Sequence, residues 1–181
     1  GLACNIYNEL DLTLREEPGL EFLVEGEGAG RIPEDARNIV WRSIRLLLER
    51  AKRGEEFRGA RIHMKNHVPL SRGLGSSAAA IVAGLKAANV IIGNKYNRRE
   101  LLQMATEIEG HPDNVAPAIF GGFTVSTTKG HHVESFSFLP KLRLRFVVAV
   151  PDFYLPTKKA REVLPETVPM ADAIFNIGRA S

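Results

Sequence analysis

The sequence predicts an α+β fold, and three observations support this prediction. Runs of alternating apolar residues indicate strands, and apolar residues at helical spacing indicate helices. The two kinds of element are interleaved without the regular alternation that a doubly wound sheet requires. The chain has 181 residues, of which 44% are hydrophobic and 25% charged, a composition typical of a globular domain with its own core.

Two alternating runs near the start of the chain predict a β-hairpin. The apolar positions are Leu10, Leu12 and Leu14 in the first run and Leu20, Phe22 and Val24 in the second. The turn dipeptide Pro18-Gly19 lies between them, an arrangement typical of two strands joined by a tight turn. A third alternating run, residues 62–68, predicts a strand that leads the chain to Pro69.

Three helices are predicted in the first two thirds of the chain. Residues 40–51 place their apolar side chains on one helical face, which indicates an amphipathic helix. Residues 76–92 are nearly all small or aliphatic, so this helix is expected to be buried and to end at Gly93. Asn97 and Glu100 have the spacing of a capping box and predict the start of a third helix.

The remaining predicted elements are shorter. Gly121-Gly122 interrupts the chain ahead of two strands, residues 123–127 and a run that ends at Phe138. Residues 142–150 alternate and then become wholly apolar, which predicts another strand. Thr157 has the side chain to cap a short helix over residues 158–164.

Composition excludes several classes of function. The formal charge of +3 is too small to predict a nucleic-acid partner, which usually requires a clustered basic face. Cys4 is the only cysteine, so an intramolecular disulfide and a multi-cysteine zinc site are excluded. No apolar run reaches the roughly 18 residues of a membrane-spanning helix, and no signal-peptide pattern opens the chain. We therefore expect a cytoplasmic protein with no membrane partner.

A glycine-rich segment between a predicted strand and the buried helix carries the strongest chemical signal. Its residues are Pro69, Leu70, Ser71, Arg72, Gly73, Leu74, Gly75, Ser76, Ser77, Ala78 and Ala79. The two glycines allow positive φ, and the helix that follows directs its unpaired N–H groups at the loop. Such a loop is a phosphate cradle. One serine hydroxyl can cap the helix and the other can coordinate Mg²⁺ or a phosphate oxygen; the structural alternative is a tight turn into a well-packed helix.

Two common nucleotide motifs do not fit this loop. A Walker loop requires a lysine directly after its last glycine, whereas Gly75 is followed by Ser76. The spacing of Gly73, Gly75 and Ala78 satisfies a loose dinucleotide pattern. The acidic residue expected about 20 residues further on is absent, however. A nicotinamide-binding fold is therefore only a distant alternative.

A second segment groups polar side chains around the end of a predicted helix. They are Glu107, Glu109, His111, Asp113 and Asn114. Pro112 disfavours helical geometry at His111, so we expect these side chains to be presented from a loop. In the structural alternative, Asp113 or Asn114 caps a helix that starts at Val115.

The two segments together resemble a known family. The loop has the form Pro-x-x-x-Gly-Leu-Gly-Ser-Ser-Ala-Ala, which resembles the second motif of the GHMP kinase superfamily, and residues 107–122 resemble its homoserine kinase branch. The resemblance implies that residues 1–150 form a domain similar to ribosomal protein S5 domain 2. Residues 151–181 would begin a second, α+β sandwich domain, with the active site between the two.

The resemblance also implies roles for individual residues. The loop from Pro69 to Ala79 would wrap the ATP phosphates, and Ser77 would bind Mg²⁺ with Glu109, Glu107 being the second choice. The catalytic and homoserine-binding side chains would be His111, Asp113 and Asn114. Thr157 and Arg161 resemble a family segment that contacts the substrate, and the identity of any general base stays open.

The function that the resemblance implies is transfer of the ATP γ-phosphoryl group to the hydroxyl of L-homoserine. The alternatives are another small-molecule GHMP kinase, such as one that uses mevalonate, and an inactive nucleotide-binding fragment. The first family motif would precede Gly1 and the third would follow Ser181, so we expect the middle part of a longer kinase that turns over poorly in isolation. The oligomeric state stays open, with a homodimer as one option.

Overall fold

The strands and helices follow one another in the mixed order that the sequence predicts. The structure is a computed structural model and describes residues 1–130, 132–141, 144–149 and 162–180. The elements are β1 (Glu9–Arg15), β2 (Gly19–Gly26), α1 (Ile39–Arg50), β3 (Gly59–Asn66), α2 (Ser76–Ile91), α3 (Arg98–Glu109), α4 (Pro112–Phe120), β4 (Phe123–Lys129), β5 (His132–Phe138) and α5 (Met170–Ala180). The predicted α+β class is confirmed.

A three-stranded sheet in the order β1-β3-β2 supports the helices. Strand β3 runs antiparallel to β1 and parallel to β2. The register aligns Leu12, Ile62 and Phe22 in one row across the three strands. Side chains alternate between the two faces of a strand, so this row and the equivalent rows two residues away form the apolar face on which the helices pack.

The predicted hairpin of β1 and β2 is wrong. The two strands are joined by a short turn, but β3 lies between them and pairs with both. Strand β3 contributes the fully buried Ala60 and Ile62, whereas the apolar residues of β1 and of most of β2 are only partly buried. Strand β3, the most buried of the three, takes the central place. The alternation of apolar residues correctly indicated which side chains face the core, but it does not specify which strand each one pairs with.

The three predicted helices of the core are confirmed. The side chain of Asn38 caps α1 by accepting a hydrogen bond from the N–H of Val40 at 2.9 Å, and the predicted capping box of Asn97 and Glu100 is formed at α3. Helix α2 contributes more buried residues than either of the others. A Cβ at Gly84 would lie 2.7 Å from the carbonyl oxygen of Val40, so the small residues of α2 allow a close approach of α1.

The two strands predicted after Gly122 are present as β4 and β5, and they form a separate two-stranded sheet. The start of the chain pairs with β4: Leu2 forms a bridge with Phe123, and the N–H of Thr124 donates to the carbonyl of Gly1 at 2.9 Å. A Cβ at Gly1 would lie 2.2 Å from the backbone oxygen of Asp113. The first residues are therefore held between α4 and β4.

The sequence predictions were less successful after residue 140. A strand was predicted over residues 142–150, but the described part, residues 144–149, has no regular secondary structure. Its side chains are exposed, with Val147 at 98%, and a strand forms only where a neighbouring strand supplies hydrogen bonds. The described end of the predicted helix over 158–164 forms turns. Helix α5 was not predicted.

Charged side chains cover the outer face of the three-stranded sheet. The carboxylate of Glu21 accepts hydrogen bonds from the guanidinium of Arg15 at 2.5 Å and from that of Arg61 at 2.9 Å. These two hydrogen bonds, of which that of Arg15 has the larger effect, lower the pKa of Glu21 to about 2.

Among the described residues, no helix has the length and hydrophobicity needed to cross a membrane.

Candidate active site

The glycine-rich segment forms a tight loop between β3 and the start of α2. Ser71, Gly73 and Gly75 all have positive φ, at 55°, 74° and 71°. Gly75 occupies the N-cap position of α2 in the left-handed conformation, and no side chain caps the helix there. The first-turn N–H groups of a helix lack intrahelical partners and carry partial positive charge. This end of α2 therefore has the electrostatic character of an anion site.

Ser77, in the first turn of α2, contacts the last residue of α3. Its hydroxyl donates a hydrogen bond to the carboxylate Oε2 of Glu109 at 2.7 Å, in a partly buried position. Helix α3 ends there because Gly110 adopts a left-handed conformation with φ of 88°. The packing of α2 against α3 thus brings together a hydroxyl and a carboxylate that lie 32 residues apart in the sequence.

Glu107 lies in a different place from Glu109. Its carboxylate accepts a hydrogen bond from the guanidinium of Arg50, the last residue of α1. Side chains two residues apart on a helix point in well-separated directions, so only one of the two glutamates faces Ser77. The structure therefore places Glu109, and not Glu107, beside the glycine-rich loop.

Helix α4 begins directly after the break at His111. The sequence led us to expect a loop that presents Asp113 and Asn114, or a helix that starts at Val115; both expectations are wrong, because α4 starts at Pro112. Proline is favoured in the first turn of a helix, where its missing N–H would have no partner anyway. It restricts only the preceding residue, and His111 is accordingly extended, with φ of −157° and ψ of 149°.

The first turn of α4 lies against the glycine-rich loop. A Cβ added to Gly75 would meet the Cβ of Asn114 at 3.4 Å, so Asn114 lies next to Gly75. Within the turn, the Nδ1 atom of His111 contacts the Oδ1 atom of Asp113. The loop, the Ser77–Glu109 pair and the three polar residues that precede or open α4 therefore form one contiguous site.

A cavity of about 720 Å³ adjoins this site. It extends from Gly75 and Asn114 along α2 to Lys86, and the first residues of the chain form its opposite wall. Asn5 and Tyr7 lie on that wall. These lining residues were not predicted, because no local pattern in the sequence links the start of the chain to α2.

The oxygen donors of the site fit Mg²⁺ better than zinc. Within the described ranges, no cluster of three or more His, Cys, Asp or Glu side chains could hold a metal ion. The Ser77 hydroxyl and the Glu109 carboxylate supply two hard oxygen donors. Mg²⁺ typically uses one or two protein ligands together with water and substrate phosphates. This donor set therefore suits a magnesium ion that arrives with a phosphate.

Two of the residues predicted for the substrate pocket cannot be placed. Thr157 and Arg161 lie outside the residues that the structure describes. The other predicted residues are placed on α2, α3, α4 and the loop before α2. The described part of the candidate site therefore consists of the glycine-rich loop, the Ser77–Glu109 pair and the start of α4.

The fold and the glycine-rich loop define the class of protein: an α+β domain with the GHMP kinase fold. Residues 38–122 match the family described as GHMP kinases N terminal domain, and this stretch includes the loop and α4. The chain belongs to the GHMP kinase family.

Individual relatives agree with this assignment. A homoserine kinase of Carboxydothermus hydrogenoformans is 45% identical over 181 residues, which cover 100% of this chain and 58% of that protein. The crystal structure of homoserine kinase from Cytophaga hutchinsonii is similar with a TM-score of 0.77 at 33% identity, covering 96% of this chain and 56% of that one. L. major mevalonate kinase in complex with R-mevalonate has a TM-score of 0.55 at 20% identity, covering 74% and 43% of the respective chains. This last likeness shows the fold alone, and the chain spans less than two thirds of the length of each of these proteins.

Proposed function

We propose that the full-length protein containing this chain transfers the γ-phosphoryl group of ATP to the hydroxyl of L-homoserine, giving O-phospho-L-homoserine. The names of the relatives that match the whole chain support the substrate. The geometry supports the reaction class through one observation: the Ser77–Glu109 hydrogen bond lies at the start of α2, where no side chain caps the helix.

Phosphoryl transfer requires alignment and charge neutralisation more than covalent assistance. The N–H groups of α2 and the loop from Pro69 to Ala79 would hold the phosphates of ATP. Ser77 and Glu109 would hold Mg²⁺, which supplies positive charge to the phosphate oxygens. Asn114, which lies next to Gly75, is the residue of α4 best placed to orient an acceptor beside the phosphate loop.

Arg161 and Thr157 complete the acceptor side in this proposal. A guanidinium forms a two-pronged ion pair with a carboxylate, so Arg161 would hold the α-carboxylate of homoserine. We further propose that residues 1–150 belong to the nucleotide-binding domain and residues 151–181 to the start of the second domain. The cytoplasm is the proposed location, and a homodimer is one option for assembly.

The mevalonate-type alternative has weaker support. The similarity to mevalonate kinase is at 20% identity, against 33% for a structure named homoserine kinase that covers nearly all of the chain. The alternative of an inactive nucleotide-binding fragment concerns the isolated chain, because it spans only 58% of a homoserine kinase.

An acceptor panel tests the proposal. The full-length protein is assayed for ADP release with L-homoserine, mevalonate and 4-hydroxybutyrate, which is homoserine without its amino group. We expect turnover with homoserine and little with the other two, since a site for an amino acid loses both charge and hydrogen-bond partners when the amino group is missing. Equal turnover with homoserine and 4-hydroxybutyrate, or a preference for mevalonate, would overturn the assignment.

A further inference from the structure

We propose that Asn8 is a positioning residue that holds the entry of the glycine-rich loop and so aligns a bound nucleotide. Its side-chain oxygen Oδ1 accepts hydrogen bonds from two consecutive backbone N–H groups, that of His67 at 2.8 Å and that of Val68 at 3.0 Å. The two donors lie 59 and 60 residues further along the chain. The inference rests on the proposed function, because it names a residue that supports the loop proposed to hold ATP.

These hydrogen bonds form where the pairing of β1 with β3 ends. The last pair of the two strands at this end is Glu9 with Lys65, and Asn8 directly precedes Glu9. The side chain of Asn8 takes over from the backbone of β1 and supplies the acceptor for the residues that follow β3. Pro69, the first residue of the loop, has no N–H. The two residues before it therefore carry the last backbone donors ahead of the loop, and Asn8 accepts from both.

The end of β2 holds the loop entry from the other side. The N–H of Glu27 donates to the carbonyl oxygen of Asn66 at 2.9 Å, and the side-chain amide of Asn66 donates to the carbonyl oxygen of Glu27 at 3.1 Å. Asn66 is the last residue of β3 and is buried. Residues 66–68 are thus tied to both flanking segments, and Asn8 is the anchor on the β1 side.

The position of the loop depends on its two ends. Residues 67–75 form an irregular segment of turns and bends, and three of them have positive φ. The exit of the loop is fixed because Ser76 begins α2. The entry is fixed by hydrogen bonds from its neighbours. Without the Asn8 oxygen, two N–H groups would lose this acceptor, one of them on the buried residue Val68, so the entry could move relative to α2.

Asn8 also lies on the wall of the cavity beside the site. The cavity is lined by Asn8 and Val68, and by Gly75 at the far end of the loop. Asn8 therefore joins the segment that forms the cavity wall to the loop that would hold the phosphates. Because phosphoryl transfer requires alignment of the two reactants, we expect loss of this connection to impair both nucleotide binding and turnover.

Nucleotide binding by the full-length protein tests the role of Asn8 without an acceptor. We expect Asn8→Ala to weaken the binding of Mg·ATP, measured by isothermal titration calorimetry, by roughly 10-fold, which corresponds to about 1.4 kcal/mol. In steady-state assays with homoserine, kcat should fall by roughly 10- to 100-fold, because a misplacement of about 1 Å can cost about 10²-fold in rate. KM for homoserine should change little. Asn8→Asp should recover most of both losses, because a carboxylate oxygen accepts the same two N–H groups.

Asn97→Ala is the matched control. The Oδ1 atom of Asn97 also accepts hydrogen bonds from two consecutive backbone N–H groups, those of Arg99 at 2.9 Å and Glu100 at 3.1 Å. It caps the start of α3, however, whereas Glu109 lies at the other end of that helix. We expect both alanine variants to lower the melting temperature by a similar amount, and only Asn8→Ala to change Mg·ATP binding and kcat.

Two results would overturn the positioning role. Unchanged Mg·ATP binding and kcat in Asn8→Ala, with a loss of melting temperature like that of Asn97→Ala, would show that Asn8 only stabilises the fold. A higher KM for homoserine with unchanged Mg·ATP binding would show that Asn8 binds the acceptor instead. If Asn8→Ala does not fold, Asn8→Gln and Asn97→Gln provide the same comparison, because the longer side chain moves the amide away from the two N–H groups.

The same measurements separate this inference from the proposed function. Absence of homoserine phosphorylation by the unmodified protein would refute the proposed function, while Mg·ATP binding by the Asn8 variants would still decide the role of Asn8. Failure of the unmodified protein to bind Mg·ATP would refute both.

Discussion

Glu107 and Glu109 provide a matched pair for testing the magnesium site. Both are glutamates on α3, but Glu109 accepts a hydrogen bond from Ser77 and Glu107 pairs with Arg50. Replacement by glutamine preserves size and removes only the negative charge. We expect Glu109→Gln to abolish most of the activity of the full-length protein and Glu107→Gln to leave kcat unchanged.

The magnitudes follow from the two environments. Loss of one group that stabilises charge in the transition state typically costs about 2.7–4 kcal/mol, or roughly 10²- to 10³-fold in kcat, and we expect Glu109→Gln to fall in this range. The side chains of Arg50 and Glu107 are 42% and 53% exposed. Exposed ion pairs contribute about 0–1 kcal/mol to stability, so Glu107→Gln should lower the melting temperature by only a few degrees.

The assay measures ADP release at saturating homoserine and ATP while the Mg²⁺ concentration is varied. Glu109→Gln should raise the Mg²⁺ concentration required for half-maximal activity as well as lower kcat, while circular dichroism shows an unchanged fold. The reverse outcome, a loss of kcat in Glu107→Gln with Glu109→Gln near the unmodified protein, would refute the assignment of Glu109.

Two further predictions concern stability. Gly84→Ala should destabilise the protein by about 1–3 kcal/mol, as overpacking typically does, because the new methyl group would lie 2.7 Å from the Val40 carbonyl oxygen; a thermal melt equal to that of the unmodified protein would contradict this. The pKa of Glu21 is lowered from 4.5 to about 2, chiefly by Arg15. Its contribution to stability is therefore fully present above about pH 4.5 and is lost as the pH falls through 2. Urea unfolding at pH 5 and pH 3 measures how far the free energy of unfolding falls on acidification. This fall should be smaller in Glu21→Gln than in the unmodified protein, and equal falls would argue against the Arg15 contact.

Local sequence signals predicted the three core helices well. The capping box at Asn97 and the stop at Gly93 depend on residues within one or two turns of each other, and both helix boundaries agree with the structure. Helix α5 carried a comparable signal, because Met170, Ile174 and Ile177 have helical spacing, but no helix was predicted there.

The errors concern relations between distant segments. The alternation in β1 and β2 gave the buried face of each strand, but their pairing depended on β3, which follows β2 by more than 30 residues. The run over residues 142–150 has the composition of a strand, yet its described part has none of the strand pairing that would stabilise one. In both cases the missing information was the identity of the neighbouring strand, which side-chain periodicity does not contain.

The small residues of helix α2 are evident in the sequence, but their effect on the spacing of the neighbouring helices is not. Its small residues predicted burial, and the structure adds that they determine the distances to the surrounding helices. Gly84 allows a close approach of α1 to the α2 backbone. At the start of α2, Ser77 contacts Glu109 of α3 and the N-cap Gly75 lies next to Asn114 of α4. A bulky residue on α2 would therefore disturb the site without being part of it, because the hydroxyl of Ser77 reaches Glu109 only while the helices keep this spacing.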